Sequence, residues 1–385
     1  MALSTISYLW RDTKAPQGFR SGVSLHSHTN QSLESLSFLA KFGQQFPAVR
    51  PFMAYMERKA LESYGMRLNY AASYWTPPMT HKLAFDLECG QIEKLDIAPM
   101  VSISDHDNIN APMLLRMVPS SRQIPVSVEW SAPYGIQSFH LGVHNLPSSR
   151  AAEWMATMAE YTAKPSDARL GDILAALNAE PNVLLVFNHP MWDLYLIGKR
   201  KHEFLVGEFL QKYGAFFHAL ELNGLRDWDE NRAVRRLAER WNMLLISGGD
   251  RHGVEPNANI NLTHATSFTE FVHEVRREKK SHMLFMPQYA EPWKHRMLQA
   301  AIDVARHYPE FPQGSRSWDD RFFHPDSNGV PRPLSQLWPS RSAPLAMRGI
   351  ARLMMLMGRG PVAGSLRMVW TEAHQLRLAM GESES

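Results

Sequence analysis

Cysteine is almost missing from this chain: Cys89 is the only one in 385 residues. An intramolecular disulfide and a cysteine-ligated zinc site are both excluded, and a reducing, cytoplasmic location is expected. No uninterrupted apolar run reaches the roughly 18–20 residues of a membrane span. Residues Met1 to Arg20 carry no apolar signal core, so no membrane partner is expected. Blocks of like charge are absent as well. The 41 Lys and Arg stand against 38 Asp and Glu for a net charge of +3, and the basic residues are scattered. That distribution disfavours a nucleic-acid surface built on charge alone. A glycine-rich phosphate loop is also lacking, because Gly248-Gly249 precedes Asp250 instead of opening a G-x-G-x-x-G helix start.

What remains is an ordinary globular composition, 44% hydrophobic and 21% charged, with 17 histidines as its unusual part. The length allows one large core of about 250–300 residues plus an appendage, or two domains. Two histidines, His26 and His28, follow the apolar Val23 and Leu25 at a spacing that sends both imidazoles to one side of an extended backbone. Neutral imidazole is the commonest ligand for zinc-like ions, so the pair is a candidate metal claw. Random placement of this many histidines would produce roughly one such pair, so the claw needs partners elsewhere.

Partners are found at regular intervals. Short apolar runs at 99–104, 125–128, 139–144, 182–187, 215–220 and 243–246 alternate with helical segments at 80–95, 153–163, 170–179, 202–213 and 228–241. Thr80 is the expected N-cap of the first of these helices, with Leu83, Leu87, Ile92 and Leu95 on one side. Most of the runs stop at His, Asp or Glu: Asp105-His106-Asp107, Glu129, His140, Asn188-His189-Pro190, Glu221 and Asp250-Arg251-His252. Alternating strands and helices predict a mostly parallel sheet. Ligands on nearly every strand end predict a mouth where those ends converge, as in a (β/α) barrel. A doubly wound sheet also places functional groups at strand ends, but it does not gather them from nearly every strand. The expectation is an α/β, distorted (β/α)7 TIM-like barrel over residues 20–285. It has an aromatic insertion after strand 1 (residues 37–79), read as a helical subdomain or a lid, and a C-terminal helical and irregular extension (286–385). His218, inside an apolar run, reads as core; His264, His273, His282, His295, His307, His324 and His374 read as surface residues.

The ordered set Leu25-His26-Ser27-His28, Ser104-Asp105-His106-Asp107, Val128-Glu129-Trp130-Ser131, Phe139-His140-Leu141-Gly142, Asn188-His189-Pro190 and Ser247-Gly248-Gly249-Asp250-Arg251-His252 resembles the PHP family. That family is named after polymerase and histidinol phosphatase domains, and its members are mostly metal-dependent phosphoesterases on a distorted seven-stranded barrel. The resemblance implies two to three clustered divalent ions, Zn, Mn or Fe. The first would take His26, His28, Glu129 and Asp250, and the second Glu129, His140 and His189. The third would take His106, His252 and a ligand just after the claw, for which Glu34 is the nearest candidate. Two ions about 3.5–4 Å apart lower the pKa of a shared water and clamp the attacking and leaving oxygens of an in-line displacement. Arg251 is the expected cation for the phosphate, His144 a candidate acid for the leaving oxygen, and Asp105 the orienting partner of His106. Lys199, Arg200 and Lys201 read as a solvated run, with phosphate contact second. The expected substrate is a phosphorylated small molecule. Alternatives are a C–N or other ester hydrolase on the same ions, a nuclease, and a degenerate PHP binding module.

Overall fold

The computed structural model describes residues 3–39, 50–338, 343–358 and 360–382. Every side chain of Ser21–Ser27 is buried, as is every one of Leu184–Phe187 and Leu244–Gly248. Strands of that kind must be covered on both faces. In chain order the strands are β1 (Leu3–Tyr8), β2 (Ser21–Ser27), β3 (Glu34–Ser35), β4 (Tyr74–Trp75), β5 (Ala98–Ile103), β6 (Val126–Tyr134) and β7 (Gln137–Leu146). They continue with β8 (Leu184–Phe187), β9 (Ala219–Asn223), β10 (Leu244–Gly248), β11 (Asn259–Thr263), β12 (Lys280–Phe285), β13 (Phe322–Pro325) and β14 (Pro331–Pro333).

The mixed α/β class is as expected, but the single closed seven-stranded barrel is not what forms. The strands divide into two separate five-stranded sheets, ordered β1-β12-β11-β2-β5 and β10-β9-β8-β7-β6, and a four-stranded sheet, β14-β13-β4-β3. Two features escaped the strand count. A hairpin links β6 to β7, so Glu129 lies within a strand that continues to Tyr134 instead of ending one. Strand β11 runs antiparallel to both β2 and β12, and β7 is antiparallel to β8. Among the described strands the parallel pairs are β1–β12, β2–β5, β8–β9 and β9–β10.

The two large sheets meet over a shared core in which Val23 and Leu25 of β2 pack with Val186 of β8, Ile246 of β10, and Phe271 and Val275 beyond them. Their ends are tied by backbone hydrogen bonds. Asp250 N–H donates to His26 O at 2.7 Å, and His28 N–H to Arg251 O at 3.0 Å. On the other flank Glu129 N–H donates to Asp105 O at 3.2 Å and Asp107 N–H to Glu129 O at 3.0 Å. Strand ends from both sheets are thereby brought to one place.

The helix expected near Thr80 is present at His81–Glu93, with the Thr80 hydroxyl accepting from Leu83 N–H. Its buried face is Ala84, Glu88, Gln91 and Ile92, not the Leu83 side, and Leu83 is 43% exposed. On that buried face Glu88 accepts from Arg251 and Ser24. The insertion carries a helix at Arg50–Tyr64; residues 40–49 of it lie outside the described residues. The insertion and the C-terminal extension, expected as separate appendages, share the four-stranded sheet. His324, expected at the surface, is buried there and accepts from Asn69 N–H at 2.9 Å. No helix among the described residues is long and apolar enough to cross a membrane.

His218 is buried as expected. Its Nδ1 accepts from Leu185 N–H at 2.8 Å, and its Nε2–H donates to Asn178 at 2.9 Å. Burial, with Arg276 and Lys279 nearby, pushes it down to about 3, against about 6.5 in the unfolded chain. The neutral ring therefore stabilises the fold above the unfolded value, and that contribution is lost as pH falls from 6.5 toward 3. A His218→Gln variant should show a shallower loss of stability over this acid window than the parent protein, read by urea unfolding at several pH values. An unchanged slope would refute the assignment.

Candidate metal centre

Glu129 is the centre of the arrangement. It is fully buried, and its two oxygens face different sets of imidazoles. Oε2 lies 2.8 Å from His26 Nε2, 3.2 Å from His28 Nε2 and 3.1 Å from His106 Nε2. Oε1 lies 3.1 Å from His189 Nε2 and 3.5 Å from His140 Nδ1, and it accepts from Asn188 Nδ2 at 3.0 Å.

All nine expected ligands come together, in three groups: His26, Glu129, His189 and Asp250; His106, Glu129 and His140; and His28, Glu34, His106 and His252. Within each group the candidate ligand atoms lie within 4.8 Å of one another. The partition differs from the expected one. His189 joins His26 and not His140, and His28 turns toward the Glu34 group, its Nδ1 3.5 Å from Glu34 Oε1. Glu34 stands where the missing ligand was sought. Its Oε2 is 3.4 Å from His106 Nε2 and 3.2 Å from His252 Nε2, and its Oε1 accepts from Ser32 Oγ at 2.6 Å.

Local backbone geometry explains how neighbouring residues reach one point. His26, His189 and Asp250 have φ of 61°, 26° and 55°, a region that β-carbon-bearing residues enter only when the surroundings demand it. At His26 the β2–β5 register also shifts, between Ser24 and Ser27, which re-aims the claw. Three of the nine non-glycine residues with positive φ are thus candidate ligands, which is where strain serves a site.

The electrostatics are those of buried opposite charges. Against the desolvation that burial imposes, the carboxylates of Glu129, Glu221 and Asp250 hold His26 well above its usual value. Desolvation also opposes charge on His28, yet Glu34, Asp250 and Glu129 lift it to about 10. Glu129 and Asp250 are held well below the usual carboxylate range, their desolvation outweighed by the surrounding histidines. Burial dominates at His106, which is pushed down to about 3 and stays neutral.

Do these residues suit divalent ions? The Nε2 of His28 and the Nδ1 of His140 are buried and make no hydrogen bond, although each faces Glu129. Nitrogens of that kind have lone pairs to offer. A donor set of six imidazoles and three carboxylates, without thiolate, suits Zn²⁺, Mn²⁺ or Fe²⁺ better than Mg²⁺ alone. The residues fit.

Three expected roles are corrected. Arg251 does not face the cluster. Its guanidinium is buried and donates to Glu88 Oε1 at 3.0 Å, Gly253 O at 2.9 Å and His28 O at 3.2 Å, so it braces the strand ends. His144 is buried near the C-terminal end of β7, opposite the start of β8, within hydrogen-bond distance of Ser102 Oγ at 2.9 Å. Burial drives its pKa down to about 3, and a ring sealed from solvent and neutral near pH 7 is no proton donor to a leaving group. Asp105 does not orient His106. It accepts from Thr29 N–H at 2.5 Å and Thr29 Oγ1 at 2.7 Å, fixing the loop that carries Ser32 and Glu34. The neighbours of His106 are Ser131 Oγ, 3.1 Å from its Nδ1, and Ser32 Oγ, which accepts from its backbone N–H at 2.9 Å. Lys199, Arg200 and Lys201 are exposed at the start of the helix Lys199–Tyr213, as a solvated run is.

Sequence reasoning missed two residues. Glu221 is buried, and its Oε1 lies 2.6 Å from His26 Nδ1 while Oε2 accepts from His189 N–H at 2.9 Å. It fixes the ring of one candidate ligand and the backbone of another. Its position at a strand end was the available signal. Arg226 is the guanidinium beside the cluster, donating to Asp250 Oδ2 at 3.2 Å and lying 3.8 Å over the Trp192 ring. Nothing in the pattern around it distinguishes it from other surface-type arginines. Gly248 makes the Glu221 contact possible, because a Cβ there would come within 1.6 Å of Glu221 Oε1 and 3.0 Å of His26 Cβ.

No protein-family model matches the chain, and no curated protein matches it. Solved structures do. They include candidate metal-dependent phosphoesterases, one of them containing a predicted PHP-like domain. The chain is 16% identical to PsfC from Pseudomonas syringae, with a TM-score of 0.41, covering 57% of this chain and 88% of that one. It is 13% identical to a candidate metal-dependent phosphoesterase from Bifidobacterium adolescentis (TM-score 0.31, 52% and 91% covered). A two-domain protein from Bacteroides vulgatus, containing a predicted PHP-like metal-dependent phosphoesterase, is 12% identical (TM-score 0.37, 69% and 64% covered). Likenesses this distant decide neither reaction nor substrate.

Outer-shell groups of this kind typically tune metal affinity by about 10–100-fold. Glu221→Gln and Gly248→Ala should each weaken divalent-ion binding in that range, measured by calorimetric titration of the chelated protein. Affinities equal to the parent's would show that the His26 ring needs no such support.

Proposed function

We propose that this chain is a metal-dependent phosphoric ester hydrolase. The observation that carries the reading is Glu129, a single buried carboxylate whose two oxygens are shared between separate sets of imidazoles. A bridging carboxylate is the feature a multi-ion hydrolytic centre needs and a degenerate binding module does not. Two to three divalent ions would be held by His26, Glu129, His189 and Asp250, by His106, Glu129 and His140, and by His28, Glu34, His106 and His252. When bound, such ions neutralise phosphoryl oxygens and make water acidic enough to attack near neutral pH.

The chain's own residues do the positioning. With Nδ1 directed at Glu221, His26 presents Nε2 to the cluster, 2.8 Å from Glu129 Oε2. Asn188 holds one Glu129 oxygen in place. Arg226, held against Asp250 and Trp192, supplies the cation beside the cluster that a phosphate requires and that Arg251 does not. The substrate class favoured by this set is a phosphorylated small molecule.

The test is direct. Purified protein is expected to carry Zn, Mn or Fe by elemental analysis and to hydrolyse p-nitrophenyl phosphate or bis(p-nitrophenyl) phosphate. Activity should disappear on chelation and return with added Mn²⁺ or Zn²⁺. Glu129→Gln and Asp250→Asn should lose more activity than the about 10–100-fold that outer-shell changes cost. Protein that takes up no metal, together with an Asp250→Asn variant identical to the parent, would end the enzyme reading. Cleavage of carboxylic esters or amides with no phosphoesterase activity would replace the reaction while keeping the centre.

A further inference from the structure

Glu34, the candidate ligand that completes the third group, sits on a strand of only two residues. Such a strand does not hold its own register. It pairs with β4, also two residues long, placing Glu34 opposite Trp75 and Ser35 opposite Tyr74. The other edge of β4 is occupied by β13 of the C-terminal extension, with Phe322 opposite Trp75 and Phe323 opposite Tyr74.

Directly opposed residues on neighbouring strands lie on one face of a sheet. Glu34, Trp75 and Phe322 therefore form one row, and Ser35, Tyr74 and Phe323 the next. The first row faces the cluster: Glu34 is buried among its histidines, and the Trp75 ring lies 5.7 Å from the His252 ring. Ser35 is exposed. A slip of one residue would send Glu34 to the opposite face.

The rings lock this register. Phe323 stacks on Tyr74 at 4.8 Å and 8°, and Phe322 on Trp75 at 6.1 Å and 20°. Thr76 N–H donates to Arg321 O at 2.9 Å, and His324 receives Asn69 N–H. The base of β13 is itself anchored. The buried Arg321 guanidinium donates to the carbonyls of Val304, Arg306, Ser315 and Arg316 at 2.7–3.0 Å. In the same segment, Asp303 accepts from Val254 N–H, two residues past His252. The extension thus grips both sides of the group, at Glu34 through the small sheet and beside His252 through Asp303.

We propose that β13 of the C-terminal extension is the positioning element for Glu34, so that ion occupancy of the His28, Glu34, His106 and His252 group depends on the docking of Phe322 and Phe323. The inference rests on the metallohydrolase reading above and adds to it a role for the extension that the other two groups do not share.

The experiment uses the full-length chain and counts bound Mn²⁺ or Zn²⁺ per molecule after equilibrium dialysis. Phe322→Ala is expected to lose the same single equivalent as Glu34→Gln, and the double variant to lose no more than either. Phe322→Tyr, which keeps the ring, should restore the count. His324→Ala, a milder lesion in the same strand, should lower occupancy of that equivalent alone, with thermal unfolding confirming that each variant remains folded. A parent protein that binds no metal would overturn the metallohydrolase reading together with this one. A parent that binds metal, with Phe322→Ala and His324→Ala at full stoichiometry, would overturn this inference only. So would a Glu34→Gln variant with an unchanged count, or losses that add in the double variant.

Discussion

A carboxylate removed from water is costly unless positive charge or hydrogen-bond donors replace the solvent, and Glu129 is buried completely. Much of the surrounding architecture answers that one demand. Five imidazoles from the ends of β2, β5 and β8 and from within β7 approach its two oxygens, and the Asn188 amide takes a further lone pair. Asp250 and Glu34 add charge of the same sign, so the site accumulates negative charge faster than the protein's own cations offset it. Arg226 reaches Asp250, but Arg251, between two of the candidate ligands in the chain, is committed to Glu88.

The backbone bears the cost of this convergence. Candidate ligands at strand ends occupy left-handed conformations, and the hydrogen bonds that join one large sheet to the other run through the ligand residues themselves, from Asp250 to His26 and from His28 to Arg251. Glycines at 142, 248 and 249 lie where a Cβ would collide with Asn188, Glu221 and Asn257 respectively, which keeps room for the polar side chains behind the ligands. Joining the sheets and assembling the centre are one event. An ion bound there also stabilises the junction by mass action.

The candidate ligands stand out in the sequence because each follows or interrupts a short apolar run. His26, His106, His189 and Asp250 are assigned as ligands through the ordered set of motifs that resembles the PHP family, not through any one spacing. What defeated the reading was orientation. Arg251 lies between Asp250 and His252 in the chain, but its side chain leaves on the side away from the cluster, toward Glu88. His144 is an even number of residues from His140 and shares its face of β7, yet it lies deeper, below the ligand layer. The barrel expectation failed for a related reason: β6 and β7 form a hairpin, and β11 enters antiparallel, so period-two patterns that look alike in sequence differ in direction. Glu221 was seen as a strand end and not as a partner, because its role is defined by His26, far away in the chain.

The small sheet that unites β3 and β4 with β13 has a consequence for how the molecule is made. The claw precedes the extension in the chain, and a chain folds as it emerges. The strand ends carrying His26, His106, Glu129, His140, His189 and Asp250 are all complete before residue 322 leaves the ribosome. Asn69 and His324, which pin β13 to the insertion, lie 255 residues apart, and loop-closure entropy delays contacts of that separation. The corner that carries Glu34 is therefore among the last parts of the centre to close, after residues 322–325 have docked.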